Sequence, residues 1–406
     1  MTALYLYDDA AARGFEPFAL TRPTCELRAG ALLLRERWEL ALKRRATGVI
    51  TAAHLADFDE PWGIPAISGR LPKGALLANS RCAVALQPVT AGDSWTCDGR
   101  LAAVTLARDV EVAELADGSA TLESLAREGA TPAPVSGRWM DHVWDFIALL
   151  TPMLVEDIQG MSHLDLSHLN PGPGLKHGNH PVMAENGARV EANVFFDTSA
   201  GPVLVRRGAT VMAFTRIVGP CYVGEDSQVG GDKIANTSIG NVCKVHGEVS
   251  STIFLGHSNK GHDGFVGHSY LGRWVNLGAG TITSNLKNTY GTVQLWTPGG
   301  EVDTSQQFIG TLFGDHVKTG IGMTLSTGTV IGAAANIYGG VMPPKAVPPF
   351  AWGDRPPYDT YRVDKFLDVA KRVMERRHVE LSAKAAAQLR AAFDAKWAVA
   401  DRRSRP

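Results

Sequence analysis

The run Asn259-Lys260-Gly261-His262-Asp263-Gly264 sets an imidazole among glycines, with an amine and a carboxylate close by. Imidazole titrates near neutral pH, and glycine neighbours leave it free to reach a proton, so His262 is the candidate general base. Amides suited to an amine or a carbonyl follow at Asn276 and Asn285. Lys287 is a cation of the kind that holds a phosphate, Lys260 is chemistry that a regular scaffold does not need, and Lys318, in GDHVKTG, suits the phosphates of a long cofactor. Each residue also has a plainer reading: a histidine exposed at a turn, asparagines stacked for structural reasons, lysines solvated at the surface. The histidines at 246, 257, 262 and 268 have no Cys or carboxylate partners at a familiar metal spacing.

A second candidate site lies near the N-terminus, in TRPTCELRAG. Arg22 and Arg28 lie near an expected helix start with Gly30 close by, an arrangement compatible with a phosphate clamp and equally with a helix carrying basic surface residues. Neither GxGxxG nor GxxxxGK[ST] occurs here, so ordinary dinucleotide and P-loop sites are unsupported.

These residues need elements to position them. Residues 1–165 read as α/β: LYLY closed by Asp8-Asp9 is a buried first strand, and 47–53 and 101–106 read as further strands. A helix is expected from Cys25 to Lys43 and another from Trp144 to about Gln159, and the alternation favours an open, mostly parallel sheet. Residues 166–185, rich in Gly, Pro, His and Asn, read as a linker. Beyond it, Val205, Val211, Ile217, Val223 and Val229 stand six apart, as do Phe313, Thr319, Leu325, Ile331 and Ile337. A step of six fits neither a helix nor a long strand; it fits one short strand and one corner per repeat, stacked as a parallel β-helix over 186–350. Residues 288–306 interrupt the ladder as a protruding loop, and the prolines of VMPPKAVPPF end it. Residues 351–406 supply two helices that cap the coil.

Composition narrows the class. A net charge of -1, with 45% hydrophobic and 20% charged residues, argues against a nucleic-acid or acidic-membrane binder. Five scattered cysteines without a CxxC pair read as reduced thiols, and the acidic N-terminus lacks the form of a signal peptide. A cytoplasmic protein is expected.

The stretch NKGHDGFVGHSYLGRWVNLGAGTITSNLKN resembles the acetyltransferase domain of the bifunctional bacterial UDP-N-acetylglucosamine pyrophosphorylase / glucosamine-1-phosphate N-acetyltransferases. TRPTCELRAG, GDHVKTGIG and PPKAVPPFAWG resemble motifs of a variant branch of that family, so the resemblance spans nearly the whole chain. It implies a nucleotidyltransferase-like α/β domain followed by a left-handed β-helix that forms a homotrimer. It implies acetyl-CoA as cosubstrate, Mg²⁺ with a nucleoside triphosphate, and a sugar phosphate as acceptor. His262 falls on the family's base, Asn276 and Asn285 on substrate contacts, and Arg216 roughly on a sugar-phosphate arginine. In that reading His262 takes the amine's proton, coil N–H groups hold the oxyanion, Lys260, Lys287 or Arg216 holds the sugar phosphate, and Arg22 and Arg28 hold the triphosphate. Three departures stand out: Phe265 and Leu286 replace tyrosines, and the GxGTRM-type nucleotide loop is missing. The alternatives are an inactive first domain with acetyl transfer to another amino sugar, or a non-catalytic trimeric scaffold.

Overall fold

The computed structural model describes residues 3–129, 131–161 and 164–397. It divides into two compact units, the first comprising the chain to Met161 together with Ser382–Ala392, and the second the remainder of the described chain. The two expected C-terminal helices are Val363–Glu375 and Ala383–Asp394. The first packs on the coil through Phe366 and Met374; most of the second groups with the α/β unit, while Phe393 at its end packs on Phe350 of the coil.

In the first unit, a six-stranded sheet runs in the order Ala133–Pro134, Ser94–Cys97, Arg100–Thr105, Leu76–Asn79, Leu4–Tyr7, Ala46–Ile50. Leu4–Tyr7 is parallel to both neighbours, but Arg100–Thr105 runs antiparallel to both of its own, so the sheet is mixed where a mostly parallel one was expected. The expected 25–43 helix is only Leu34–Ala41, because Arg28–Ala29 and Leu32–Leu33 first form a tight hairpin around Gly30. The helix expected from Trp144 forms as two pieces, Asp145–Ala148 and Leu150–Gly160.

The second unit is a parallel β-solenoid of hexapeptide-repeat type. The six-residue ladders visit its three faces in turn: Val205 and Val223 pair on the first face, Val211 and Val229 on the second, and Ile217 continues to Ile234 on the third. Every member of both ladders is buried, and one apolar cluster threads the prism from Val182 to Ala351. The expected linker is already structured, since Leu166–His168 pairs with Val182–Glu185 and Lys176–His177 with Phe196–Asp197. The insertion at 288–306 carries a hairpin, Gln294–Thr297 with Gly300–Asp303, and Val293 and Leu295 are fully buried, so it lies on the coil more than it protrudes. Pairing also outlasts the prolines, with Asn336 opposite Trp352.

Candidate functional site

His262 sits on the edge between the second and third faces, just after Asn259–Lys260, and its exposed ring has no side-chain partner among the described residues. The coil is narrow here. Gly264 has φ +122°, and a Cβ on it would lie 2.4 Å from the carbonyl oxygen of Thr281. Lys260 behaves unlike a surface lysine. It takes the interior register held by Val211, Val229 and Val245 in the preceding coils, and only 2% of it is exposed. Its Nζ donates 2.8 Å to the His246 carbonyl and 2.5 Å to the His262 carbonyl. Burial lowers its pKa to about 8, with Asp263 and Asp232 opposing the shift. The lysine expected on a phosphate is thus the tie that fixes the His262 backbone to the coil before it.

The third face leads away from this edge through Val266–Gly267 to a second edge at His268, where Asn285 Nδ2 lies 2.8 Å from His268 Nδ1. Phe308 stacks on that imidazole at 5.1 Å, and burial lowers the histidine's pKa to about 4. Phe265 and Asn285 close over Gly267, where a Cβ would lie 2.4 Å from Phe265 Cζ and 2.8 Å from Asn285 Nδ2. Sequence reasoning named Asn285 but gave His268 only as one of four histidines. The signal available was its place at the ladder's third edge.

The other expected residues are dispersed. Asn276 lies on the second face, its Oδ1 accepting from Asn259 Nδ2 at 2.8 Å, in a stack that continues to Lys318 and Asn336. Lys318 Nζ donates to the carbonyls of Trp274 (2.6 Å) and His316 (3.2 Å), and burial lowers its pKa to about 7. Arg216 pairs with Asp197 at 2.8 Å over the Phe195 ring. It stands three coils before Phe265 on the third face, about 14 Å at the usual strand spacing. Lys287 donates to the Thr292 carbonyl at 2.6 Å within the insertion. His257 and His268 fall on different edges from His262, and no group of three or more His, Cys, Asp or Glu among the described residues is placed to hold a metal.

In the first unit, the TRPTCELRAG segment is interior. Arg22 is 2% exposed and grips Glu60 with both terminal nitrogens, at 2.8 and 3.2 Å. Arg28 is buried and donates to the Ala31 carbonyl. Gly30 packs on the buried Arg37–Asp157 pair, where a Cβ would lie 2.2 Å from Asp157 Oδ2. The proposed clamp is therefore occupied by the protein's own charges. A different cluster stands at the carboxyl ends of the parallel strands Leu4–Tyr7 and Leu76–Asn79, where open α/β sheets place their ligands. There Arg81 donates to both oxygens of Asp9 (2.8 and 2.7 Å) and to Asp141 (2.9 Å), and Asn79 donates to Asp9 at 2.9 Å. Burial would raise the Asp9 carboxyl, but Arg81 and Asn79 hold it below its usual value, while burial pushes its neighbour Asp8 up. The sequence showed Asp8-Asp9 only as a strand end. Mg²⁺ takes few protein ligands and is held largely by substrate phosphates, so these carboxylates fit it only as a partial shell.

An α/β sheet with charged groups at its strand ends and a hexapeptide-repeat solenoid with an exposed histidine on one edge describe a two-part architecture of the kind found in bifunctional nucleotidyltransferase/acetyltransferases. Comparisons with known proteins agree. Residues 4–163 match the family model described as sugar nucleotidyl transferase. The chain is similar to a bifunctional sugar-1-phosphate nucleotidylyltransferase/acetyltransferase of Sulfurisphaera tokodaii, 35% identical over 23% of this chain and 24% of that one. It is also similar to the bifunctional protein GlmU of Bartonella quintana (32% identical, 28% of this chain, 25% of that one) and of Ralstonia pickettii (31%, 37% and 32%). The matches thus span about a quarter to a third of those relatives. No helix among the described residues is long and apolar enough to cross a membrane.

Proposed function

We propose that the solenoid transfers an acetyl group from acetyl-CoA to the amine of an amino-sugar phosphate, and that the first unit transfers a nucleotidyl group to a sugar 1-phosphate with Mg²⁺ and a nucleoside triphosphate. One observation carries the acetyl-transfer reading. His262 is an exposed, unpartnered imidazole on an edge whose backbone is anchored by a buried lysine. As the acceptor nitrogen attacks the thioester carbonyl, His262 takes its proton; the C–S bond then breaks and the departing thiolate takes a proton back. Asn285, at the far edge of the third face, would contact substrate, and Asn276 and Lys318 would do so from the second face.

For the first unit, support comes from the sugar nucleotidyl transferase match and from the strand-end cluster of Asp9, Asn79 and Arg81. Those residues, more than the enclosed Arg22 and Arg28, would meet the ligand in this reading. Mg²⁺ would neutralise the triphosphate during transfer.

Two assays test the reading. His262→Ala in a folded protein should lower acetyl transfer about 100-fold or more, as loss of a general base does; retention within a few-fold would remove His262 from the chemistry. Wild-type protein with UTP, Mg²⁺ and N-acetylglucosamine 1-phosphate should release pyrophosphate. Silence there with acetyl transfer intact would confine activity to the solenoid, and silence in both would leave a scaffold.

A further inference from the structure

We infer that His268 and Asn285 form a neutral donor–acceptor pair that recognises a secondary amide of the substrate, a deepening that rests on the acetyl-transfer reading above. Asn285 Nδ2 faces His268 Nδ1 at 2.8 Å, so Nδ1 accepts and the ring's single proton sits on Nε2. In this orientation the amide's donor end is spent on the ring, and its Oδ1 is left as an acceptor with no protein partner among the described residues. Nε2–H is likewise left as a donor. The pair therefore presents one donor and one acceptor and carries no charge; burial keeps the imidazole neutral across the working pH range.

The surroundings select the ligand further. Phe308 covers one side of the imidazole, Phe265 lies beside Asn285 over Gly267, and Ile282, 43% exposed, follows in the next coil of the same face. An apolar patch with one donor and one acceptor suits an amide-bearing chain and disfavours a phosphate, which would meet the Asn285 oxygen as a second acceptor. Two species of the proposed reaction contain such a group: the thioester donor, in its amide-bearing arm, and the product, in its new acylamino group. His268 is then a positioning residue, acting on the ligand through Asn285 as well as by its own N–H.

The test compares S-acetyl-N-acetylcysteamine, which has an amide, with S-acetylmercaptoethanol, which lacks one. Wild type should favour the amide thioester in kcat/KM by about tenfold, through KM more than kcat, and Asn285→Leu should erase the preference. Asn285→Asp should do the same by a different route. A carboxylate has no donor for Nδ1, so the ring proton moves to Nδ1 and Nε2 becomes an acceptor, a switch visible in the imidazole ¹⁵N shifts. His268→Gln, with both a carbonyl and an N–H, should recover part of the preference. If instead the variants weaken inhibition by the N-acetylated sugar phosphate and leave the thioester preference alone, the amide read is the product's, and the inference stands. Unchanged preference and unchanged product inhibition in folded Asn285→Leu would overturn it. Should wild type show no acetyl transfer, the reading beneath it fails, and calorimetry of coenzyme A against wild type and Asn285→Leu still decides the inference: equal affinities overturn it.

Discussion

At the scale of single residues, Lys260 is tied to the candidate site through the main chain. Its cation replaces an aliphatic group inside the prism and is held by two main-chain carbonyls, one of them that of His262. Folding lowers its pKa from an ordinary 10.5 to about 8, so the unfolded chain binds more protons between those values. The contribution of this residue to stability is therefore fully favourable above pH 10.5 and is lost as pH falls toward 8. Lys260→Met should show this directly. Relative to the variant, the wild type loses thermal stability from about pH 10.5 down to about 8 and then runs parallel, as paired melting curves would reveal. A flat difference across that range would mean that the ammonium is well solvated. Acetyl transfer by Lys260→Met should fall several-fold at constant pH, roughly a kcal/mol, because the His262 corner loses its tie.

At the scale of elements, the glycine at the His262 edge is set by the stacking of one coil on the next. Gly264→Ala combines a left-handed φ with a Cβ driven into the Thr281 carbonyl, so backbone must move. It should cost about 2 kcal/mol of stability, measured by denaturant unfolding, and should depress acetyl transfer even below the melting transition. The same elements explain what was legible in the sequence. The aliphatic ladders revealed the solenoid because one inward residue per strand must be apolar, whatever the outward residues do. The edge position of His262 matches its plainer reading as a histidine exposed at a turn. The ladders hid Lys260, whose inward direction follows only from counting register through coils of unequal length, and they undervalued His268, whose partner Asn285 comes from the next coil. In the first unit Arg22 and Arg28 of TRPTCELRAG looked like ligand contacts because the sequence does not show the partners that enclose them. Arg22 meets Glu60, 38 residues away, and Arg28 turns back onto the Ala31 carbonyl. The mixed sheet was missed for a related reason, since strand direction depends on pairings between distant segments.

At the scale of the whole molecule, the edge that carries His262 also exposes large apolar side chains. Phe214 and Ile321 are each 79% exposed and Met212 is 46% exposed. Phe214 lies three coils before His262 and Ile321 two coils after, about 14 and 10 Å along the stack at the usual strand spacing. Apolar residues bracketing a catalytic candidate on one edge suit an interface with a second copy of this chain, which would then border the acetyl-transfer site. Under that proposal, Ile321→Glu should shift the assembly toward monomer in light scattering while leaving circular dichroism unchanged. Acetyl transfer should fall in step with the oligomer and recover as protein concentration rises, because mass action restores the missing neighbour. Pyrophosphate release by the first unit should not follow it, since no residue of the strand-end cluster lies in the solenoid. A monomeric Ile321→Glu protein with full acetyl transfer would show that one solenoid alone completes the site, and a wild type already monomeric at assay concentration would remove the interface from the argument.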